Sequence, residues 1–232
     1  MRFGSCAGAS PTIRDVDVKA VITDWGGVLT SPLNDAIRQW MAADRIDARR
    51  YKDVMRSWVM QAYDPAAGTA NPIHGLEDGT LDPAEFERLL AAELRTVDGG
   101  PVESEGLLRR MFAAFHPVEP MYEALRAARA AGARIGLLSN SWGNDYPRQM
   151  WGELFDAVVI SCEVGMRKPD ERIFRHTLEL MGLQPHECAF IDDIEHNVRA
   201  AEAIGMIGLH HTDVAVTIER LGELLGVPLA DC

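Results

Sequence analysis

The chain has 232 residues, of which 47% are hydrophobic and 25% charged, a composition typical of a folded protein with room for one α/β core and an inserted module. Its formal net charge is −12, so it has no surplus of basic residues to neutralise the phosphates of nucleic acid or of an anionic membrane. Neither is therefore expected as a partner, whereas a small phosphorylated molecule needs only a few local cations.

Neither the N-terminal residues nor the cysteines show a targeting or metal-binding pattern. Residues 1–15 contain no apolar run long enough for a signal peptide, and we expect them to form a flexible N-terminal arm. No segment approaches the length of a transmembrane helix. The four cysteines are scattered without paired spacing, which favours reduced thiols and a cytoplasmic location: Cys6, Cys162, Cys188 and Cys232.

The first strong element is a β-branched run over residues 18–23, which ends at Asp24. The pair Gly26-Gly27 follows it almost at once. Such a run followed by glycines predicts a strand that breaks into a loop.

The segment from residue 34 to residue 116 carries only helical patterns. Apolar residues recur in it at helical spacing, and Asp82-Pro83 supplies the residue types that begin a helix. A stretch rich in glycine and proline, residues 64–79, is expected to be a loop. Helices are predicted over residues 35–43 and 48–63, from residue 82 onwards, and over residues 104–115.

After Pro117 strands and helices alternate. The predicted strands cover residues 134–138, 157–161, 188–191 and 207–209, and the predicted helices cover residues 120–131, 170–181, 195–204 and 214–225. Strands separated by helices predict a parallel sheet covered on both faces. The expected fold class is α/β, with a Rossmann-like doubly wound core and an inserted α-helical cap domain. The core comprises residues 16–33 and 117–232, and the cap comprises residues 34–116.

Reactive side chains collect at one edge of this predicted sheet. The residues that directly follow short apolar strands are Asp24, Ser139 and the pair Asp192-Asp193, and Lys168 lies in the loop after another strand. The carboxyl ends of parallel strands line the crevice where ligands bind, so we expect these groups to meet there. Several carboxylates would repel one another, and a hard cation such as Mg²⁺ relieves that repulsion. An aspartate nucleophile can then form an acyl-phosphate that water hydrolyses.

Four short segments resemble, in order and spacing, the four motifs of the haloacid dehalogenase-like hydrolases. They are Asp-Trp-Gly-Gly-Val-Leu-Thr at 24–30, Ser139-Asn140, Arg-Lys-Pro-Asp at 167–170 and Ile-Asp-Asp at 191–193. The resemblance extends from about residue 19 onwards, and the helical insert is placed like the small helical cap of that family. Within the family, the first two motifs look most similar to the phosphatase domain at the N-terminus of some epoxide hydrolases.

The resemblance implies a magnesium-dependent phosphatase that acts on a small phosphorylated metabolite through an aspartyl-phosphate. The implied catalytic residues are Asp24, the nucleophile, and Lys168. The implied Mg²⁺ ligands are Asp24, Gly26 through its backbone carbonyl, Asp193 and Asp192. The implied substrate contacts are Ser139, Asn140 and Gly27. The resemblance leaves the oligomeric state open.

One position departs from the family pattern. Phosphatases of the family usually carry a second aspartate two residues after the nucleophile, as the acid that protonates the leaving oxygen, and this chain has Gly26 there. General acid catalysis typically contributes about 10²–10⁴-fold. We therefore expect slower turnover, a good leaving group, or a substitute such as water or a cap residue. His74 and Asp78 are candidates in the predicted cap loop, although solvated loop residues explain them as well.

Two other functions stay open. A carbon–halogen hydrolase of the same superfamily needs neither a metal nor a leaving-group acid, so Gly26 is compatible with it. Such dehalogenases do not keep the acidic pair Asp192-Asp193, which speaks against it. A catalytically weak binding protein that keeps the fold is supported only by Gly26.

Asn197, one turn into the next helix, is placed to orient the acidic pair, although exposed helix polarity explains it equally well.

Overall fold

The computed structural model describes residues 17–62, 71–143 and 146–229. Within these ranges the chain forms a parallel sheet with helices on both faces and a helical insert after the first strand. The expected N-terminal arm, residues 1–15, lies outside the described residues. None of the described helices combines the length and apolar character needed to cross a membrane.

The sheet contains five strands among the described residues, and every neighbouring pair is parallel. They are β1 (Ala20–Thr23), β2 (Arg134–Ser139), β3 (Ala157–Ile160), β4 (Cys188–Asp192) and β5 (Ile207–His210). Their order across the sheet is β3-β2-β1-β4-β5, so the chain winds outwards in both directions from β1. This doubly wound order confirms the predicted Rossmann-like α/β class.

Five helices lie between β1 and residue 117 in the described part of the insert. They are α1 (Leu33–Ala43), α2 (Ala48–Ala62), α3 (Pro72–Asp78), α4 (Pro83–Glu93) and α5 (Leu107–Met111). They share a hydrophobic cluster of their own, which includes Trp40, Phe86 and Leu94. The insert therefore has an apolar interior separate from that of the sheet.

Helix α3 corrects the loop predicted over residues 64–79, of which residues 64–70 lie outside the described residues. The Asn71 side chain accepts two backbone N–H groups at 3.0 and 3.2 Å, and Pro72 occupies the first helical position. Gly79 ends the helix with φ at +78°. These are ordinary start and stop residues of a helix. Two turns are too short to show an apolar period, which is why the glycine and proline content suggested a loop.

Six further α-helices follow in the described part of the core. They are α6 (Glu119–Ala130), α7 (Arg148–Trp151), α8 (Ser161–Val164), α9 (Glu171–Met181), α10 (Glu195–Ala203) and α11 (Val214–Leu225). The four longer ones match the sequence prediction closely. Helices α7 and α8 are not predicted, because four residues are too few to reveal helical periodicity. The predicted strand over 157–161 ends one residue early, where α8 begins, and the helix predicted over 104–115 shortens to α5.

Strand β1 is fully buried on both faces, as a central strand of a parallel sheet must be. Ala20 and Ile22 pack with Phe174 of α9 and Phe190 of β4 in one cluster. Val21 points the other way, into a cluster that contains residues of α6 and α11. The core is therefore a three-layer arrangement that holds the end of β1 in a rigid position.

Candidate active site

Asp24 lies at the carboxyl end of β1, in the middle of the sheet. The register pairs Thr23 with Ile191 of β4 and with Leu137 of β2. The Asp24 backbone N–H donates to the Ile191 carbonyl at 2.8 Å, and the residue is only 7% exposed. The ends of the three central strands therefore meet at one edge, and the acidic residues that follow β1 and terminate β4 lie there together.

Lys168 lies buried between two of these carboxylates. Its Nζ is 3.0 Å from Asp24 Oδ1 and 2.6 Å from Asp192 Oδ2, and its side chain is 1% exposed. Burial alone would lower the pKa of this ammonium group, but the Asp192 and Asp24 carboxylates raise it instead. Lys168 therefore stays charged and neutralises part of the negative charge at the edge of the sheet.

The Asp192 carboxylate is surrounded by donors and is fully buried. Besides Lys168, it accepts from the Ile194 backbone N–H at 2.8 Å and from Asn197 Nδ2 at 3.1 and 3.2 Å. Asn197 is itself buried, at 5% exposed, so its contact with Asp192 favours the orienting role over exposed helix polarity. Because its position is fixed from three sides, Asp192 holds Lys168 against the end of β1.

Asn140 fixes the backbone of Lys168. Its Oδ1 accepts from the Lys168 N–H at 2.8 Å, and its Nδ2 donates to the Lys168 carbonyl at 3.0 Å. Both ends of the amide group are thereby used within the protein. The Asn140 side chain also hydrogen-bonds to the Glu77 carboxyl group.

The two glycines after Asp24 have different surroundings. At Gly27 φ is +75°, and a Cβ there would lie 2.3 Å from Asp193 Oδ2. Only glycine therefore lets Asp193 approach this loop. The Gly27 N–H donates to Thr30 Oγ1 at 3.0 Å. At Gly26, in contrast, a Cβ would meet nothing within 4 Å, so the space that a side chain could occupy is open.

Three carboxylates converge closely enough to share a cation. Asp24, Asp192 and Asp193 each offer an oxygen atom, and these atoms all lie within 4.8 Å of one another. Burial, helped by Asp192 and Asp193 and opposed by Lys168, raises the pKa of Asp24 to about 7. Burial and the Asp192 charge raise the pKa of Asp193 to about 6. Crowded carboxylates whose pKa values are raised in this way form a donor set that fits a hard cation such as Mg²⁺.

Ser139 ends β2 at the same edge and is almost fully buried. Its Oγ lies 2.9 Å from the Tyr146 hydroxyl oxygen, and burial raises the pKa of that tyrosine. No motif contains Tyr146, so the sequence does not point to it. The hydroxyl pair nevertheless adds two hydrogen-bonding groups beside Asp24.

A cavity of about 110 Å³ lies over these groups and has walls from both parts of the molecule. From the core it is lined by several predicted site residues: Asp24, Gly26, Ser139, Asn140, Lys168 and Asp193. From the insert it is lined by Glu77, Phe112 and Phe115, and Leu33 at the start of α1 also lines it. Of the three predicted substrate contacts, Ser139 and Asn140 therefore line the cavity and Gly27 does not. All three roles stay predictions.

Glu77 brings an acidic side chain from α3 into this cavity, and the predicted site does not include it. Its Oε1 accepts from Trp142 Nε1 at 3.1 Å, and its Oε2 lies 3.2 Å from Arg167 Nη1. Burial raises the pKa of Glu77, although Arg167 opposes the shift. Glu77 belongs to no motif and lies in the stretch predicted as a loop, so only the structure reveals it.

The two acid candidates predicted in the insert are placed differently. His74 Nε2 lies 2.6 Å from Arg167 Nη2, and burial together with Arg167 lowers the pKa of this histidine. Asp78 Oδ1 accepts from the Thr80 backbone N–H at 3.0 Å, in the turn after α3. Neither residue is among those that line the cavity within the described part of the chain.

Comparison with known proteins agrees with this geometry. The chain is 31% identical over 154 residues to a sesquiterpene phosphatase of Aspergillus oryzae, covering 65% of this chain and 77% of that protein. It is 31% identical over 115 residues to bifunctional epoxide hydrolase 2 of Rattus norvegicus, covering 46% of this chain and only 21% of that protein. The chain thus spans about a fifth of the length of the epoxide hydrolase.

Structural and family comparisons extend the match to most of the chain. The structure superposes on a crystallised dehalogenase with a TM-score of 0.62, covering 90% of this chain and 98% of that chain. The identity there is 17%, so this similarity shows the fold alone. A family model for haloacid dehalogenase-like hydrolases matches residues 18–205, which include all four sequence motifs. This chain is therefore a member of the haloacid dehalogenase-like hydrolases, as its motifs predict.

Proposed function

We propose that this hydrolase is a magnesium-dependent phosphatase that cleaves a small-molecule phosphomonoester through an aspartyl-phosphate at Asp24. The observation that carries the proposal is the convergence of Asp24, Lys168 and the acidic pair at one edge of the sheet. Together they provide a nucleophile, a buried cation and ligands for a metal. The relative named as a phosphatase supports the same type of reaction.

The reaction proceeds in two displacements. In the first, an Asp24 carboxylate oxygen attacks phosphorus, the bond between phosphorus and the ester oxygen breaks, and the departing oxygen takes up a proton to leave as an alcohol. In the second, water attacks the aspartyl-phosphate and gives up a proton. Inorganic phosphate leaves, and Asp24 is regenerated as a carboxylate.

The buried residues hold the reacting groups in place. Asp192 and the amide of Asn140 fix Lys168, which orients Asp24 and balances the charge on a phosphoryl oxygen. Ser139 donates to another phosphoryl oxygen. Each of these groups lies at the end of a strand or is hydrogen-bonded to a residue that does. This rigid support keeps the nucleophile aligned.

The proposed metal ligands are Asp24, Asp193, Asp192 and the backbone carbonyl of Gly26. Mg²⁺ bound there supplies charge neutralisation and alignment of the phosphoryl group. The Asp193 carboxylate lines the cavity, where it would be accessible to a cation. Asp192 completes the donor set while it also holds Lys168.

A carbon–halogen hydrolase is the second candidate. The lack of an acid at Gly26 is compatible with it, and a dehalogenase shares this fold. The acidic pair disfavours it, because displacement of a halide by an aspartate needs no divalent cation. Release of halide from a 2-haloacid distinguishes this candidate from the phosphatase.

The test compares the wild-type protein with Asp24→Asn on a panel of phosphomonoesters, with Mg²⁺ or with EDTA. We expect hydrolysis that requires Mg²⁺ and that falls by roughly 10³-fold or more in Asp24→Asn, because an amide cannot act as the nucleophile. Asp170→Asn is the matched control, since Asp170 caps α9 in the same motif as Lys168 and asparagine caps equally well. Hydrolysis that survives both EDTA and Asp24→Asn contradicts the proposal.

A further inference from the structure

Four titratable side chains line the cavity over the sheet edge, counting the described residues: Asp24, Glu77, Lys168 and Asp193. The proposed function uses three of them. Asp24 is the proposed nucleophile, Lys168 is held between carboxylates, and Asp193 would hold the cation. The reaction also needs a proton for the leaving oxygen, and Gly26 has no side chain to supply it. Glu77 is the remaining group.

We propose that Glu77 is the general acid that protonates the leaving oxygen. This inference rests on the proposed phosphatase activity and adds a catalytic residue to it. The proton passes from the Glu77 carboxyl to the ester oxygen as its bond to phosphorus breaks. The glutamate left behind regains a proton from the water that hydrolyses the aspartyl-phosphate.

The position of Glu77 suits this role. Asp24 lies at the edge of the sheet, on the core side of the cavity, while Glu77 comes from α3 in the insert that covers it. In an in-line displacement the leaving oxygen departs on the side of phosphorus opposite the nucleophile. The leaving oxygen therefore moves toward the wall of the cavity that the insert forms. Among the described residues of that wall, Glu77 is the one that carries a carboxyl group.

Hydrogen bonds hold the carboxyl group in one orientation. Trp142 Nε1 donates to Oε1 and Arg167 Nη1 lies beside Oε2, while the Ser161 hydroxyl donates to the backbone carbonyl of Glu77. The Asn140 side chain also hydrogen-bonds to this carboxyl group. These three partners use three of the four lone-pair sites on the two oxygens, so a proton can still be carried on the remaining one. The Glu77 carboxyl group is therefore held in place and still has a free site for a proton.

The surroundings also favour the protonated form. Glu77 is 9% exposed, and its burial raises its pKa more than the neighbouring cations Arg167 and Lys168 lower it. Of the other titratable groups on α3, His74 contacts Arg167, and Asp78 accepts from the Thr80 backbone N–H. A carboxyl with a raised pKa is the type of side chain that acts as an acid near neutral pH.

The rival explanation is structural, because the same contacts tie α3 to the core. The two roles make different predictions for esters with different leaving groups. A general acid matters most when the departing oxygen is basic, as in an alkyl phosphate, and little when it is acidic, as in p-nitrophenyl phosphate. A purely structural role affects both esters alike.

The first experiment measures kcat of Glu77→Gln on an alkyl phosphate and on p-nitrophenyl phosphate with saturating Mg²⁺. We expect a loss of about 10²–10⁴-fold on the alkyl phosphate and less than about tenfold on the aryl phosphate. Equal losses on the two esters, or no loss on the alkyl phosphate, overturn the role of Glu77 and leave the phosphatase proposal standing. Failure of the wild-type protein to hydrolyse either ester overturns both proposals.

The open space at Gly26 allows a rescue experiment. Because a Cβ there meets nothing within 4 Å, Gly26→Asp can place an acid near the leaving oxygen. In the Glu77→Gln background we expect Gly26→Asp to restore most of the alkyl phosphatase activity, and we expect Gly26→Asn, of the same size, not to restore it. Equal effects of the two substitutions contradict an acid role.

A measurement on the wild-type protein covers the case in which Glu77→Gln does not fold. The pH profile of kcat should fall at high pH for the alkyl phosphate, as the acid loses its proton, and this fall should be absent for p-nitrophenyl phosphate. Identical profiles for the two esters overturn the proposal.

Discussion

At the scale of single residues, Asp24 must be ionised to attack phosphorus, yet its buried position disfavours the charged form of its carboxyl group. Burial raises its pKa to about 7, and the charges of Asp192 and Asp193 add to that effect. The metal-free carboxyl therefore takes up a proton more readily than an ordinary aspartate does. A divalent cation binds the ionised form and must displace the proton, so metal binding and proton release are linked.

We therefore expect the affinity for Mg²⁺ to weaken as pH falls from about 8 to about 6, approaching tenfold per pH unit for each proton displaced. The sign follows from the raised pKa values of Asp24 and Asp193, to about 7 and about 6, because their protonated forms dominate at the acidic end. Calorimetric Mg²⁺ titrations in buffers of different ionisation enthalpy measure both the affinity and the protons released. An affinity independent of pH would show that these carboxyls do not bind the cation.

Substitution of Gly27 tests whether the close approach of Asp193 to the loop after β1 matters for metal binding. We expect Gly27→Ala to weaken Mg²⁺ binding by about 10–100-fold, because its Cβ would displace the Asp193 carboxylate. Gly182→Ala is the matched control. Gly182 also has a positive φ, +61°, but a Cβ there meets nothing within 4 Å and the residue ends α9. The control carries the same kind of backbone strain, so similar Mg²⁺ affinities in the two variants would contradict the expected clash.

At the scale of elements, the core could be predicted because each of its longer elements carries its own signal. The strands that become β1, β2 and β4 are short apolar runs, and the residues at or after their ends follow from the geometry of a parallel sheet. This places Asp24, Ser139 and Asp192 at one edge without any knowledge of side-chain contacts. The structure adds the hydrogen bonds that fix them.

Glu77 could not be predicted in the same way. Its position depends on α3, a two-turn helix whose glycine and proline content suggests a loop, and on how the insert packs over the sheet. The sequence analysis does point to this part of the insert, since its acid candidates His74 and Asp78 belong to the same short helix as Glu77. Which of the three faces the cavity depends on the rotation of α3 against α8, and this is a tertiary contact with no local signature.

At the scale of the whole molecule, the insert joins the core through two neighbouring backbone segments. The Ser31 N–H donates to the His116 carbonyl at 2.9 Å, and the Val118 N–H donates to the Leu29 carbonyl at 3.0 Å. The helices of the insert share one hydrophobic cluster, while the two faces of the sheet have others. We infer that residues 34–116 form a cap that can lose structure independently of the core.

This division predicts different effects for two fully buried phenylalanines, Phe86 in the cap and Phe190 in β4. Truncation of either to alanine should cost about 3–5 kcal/mol of local stability. For Phe86→Ala we expect faster amide hydrogen exchange in α2 and α4 with unchanged protection in β1 and β4. For Phe190→Ala we expect faster exchange in the strands themselves. If Phe86→Ala increases exchange in the strands as much as in the cap helices, then cap and core unfold as one unit. In that case the cap cannot move away from Asp24 by losing its own structure without also destabilising the sheet.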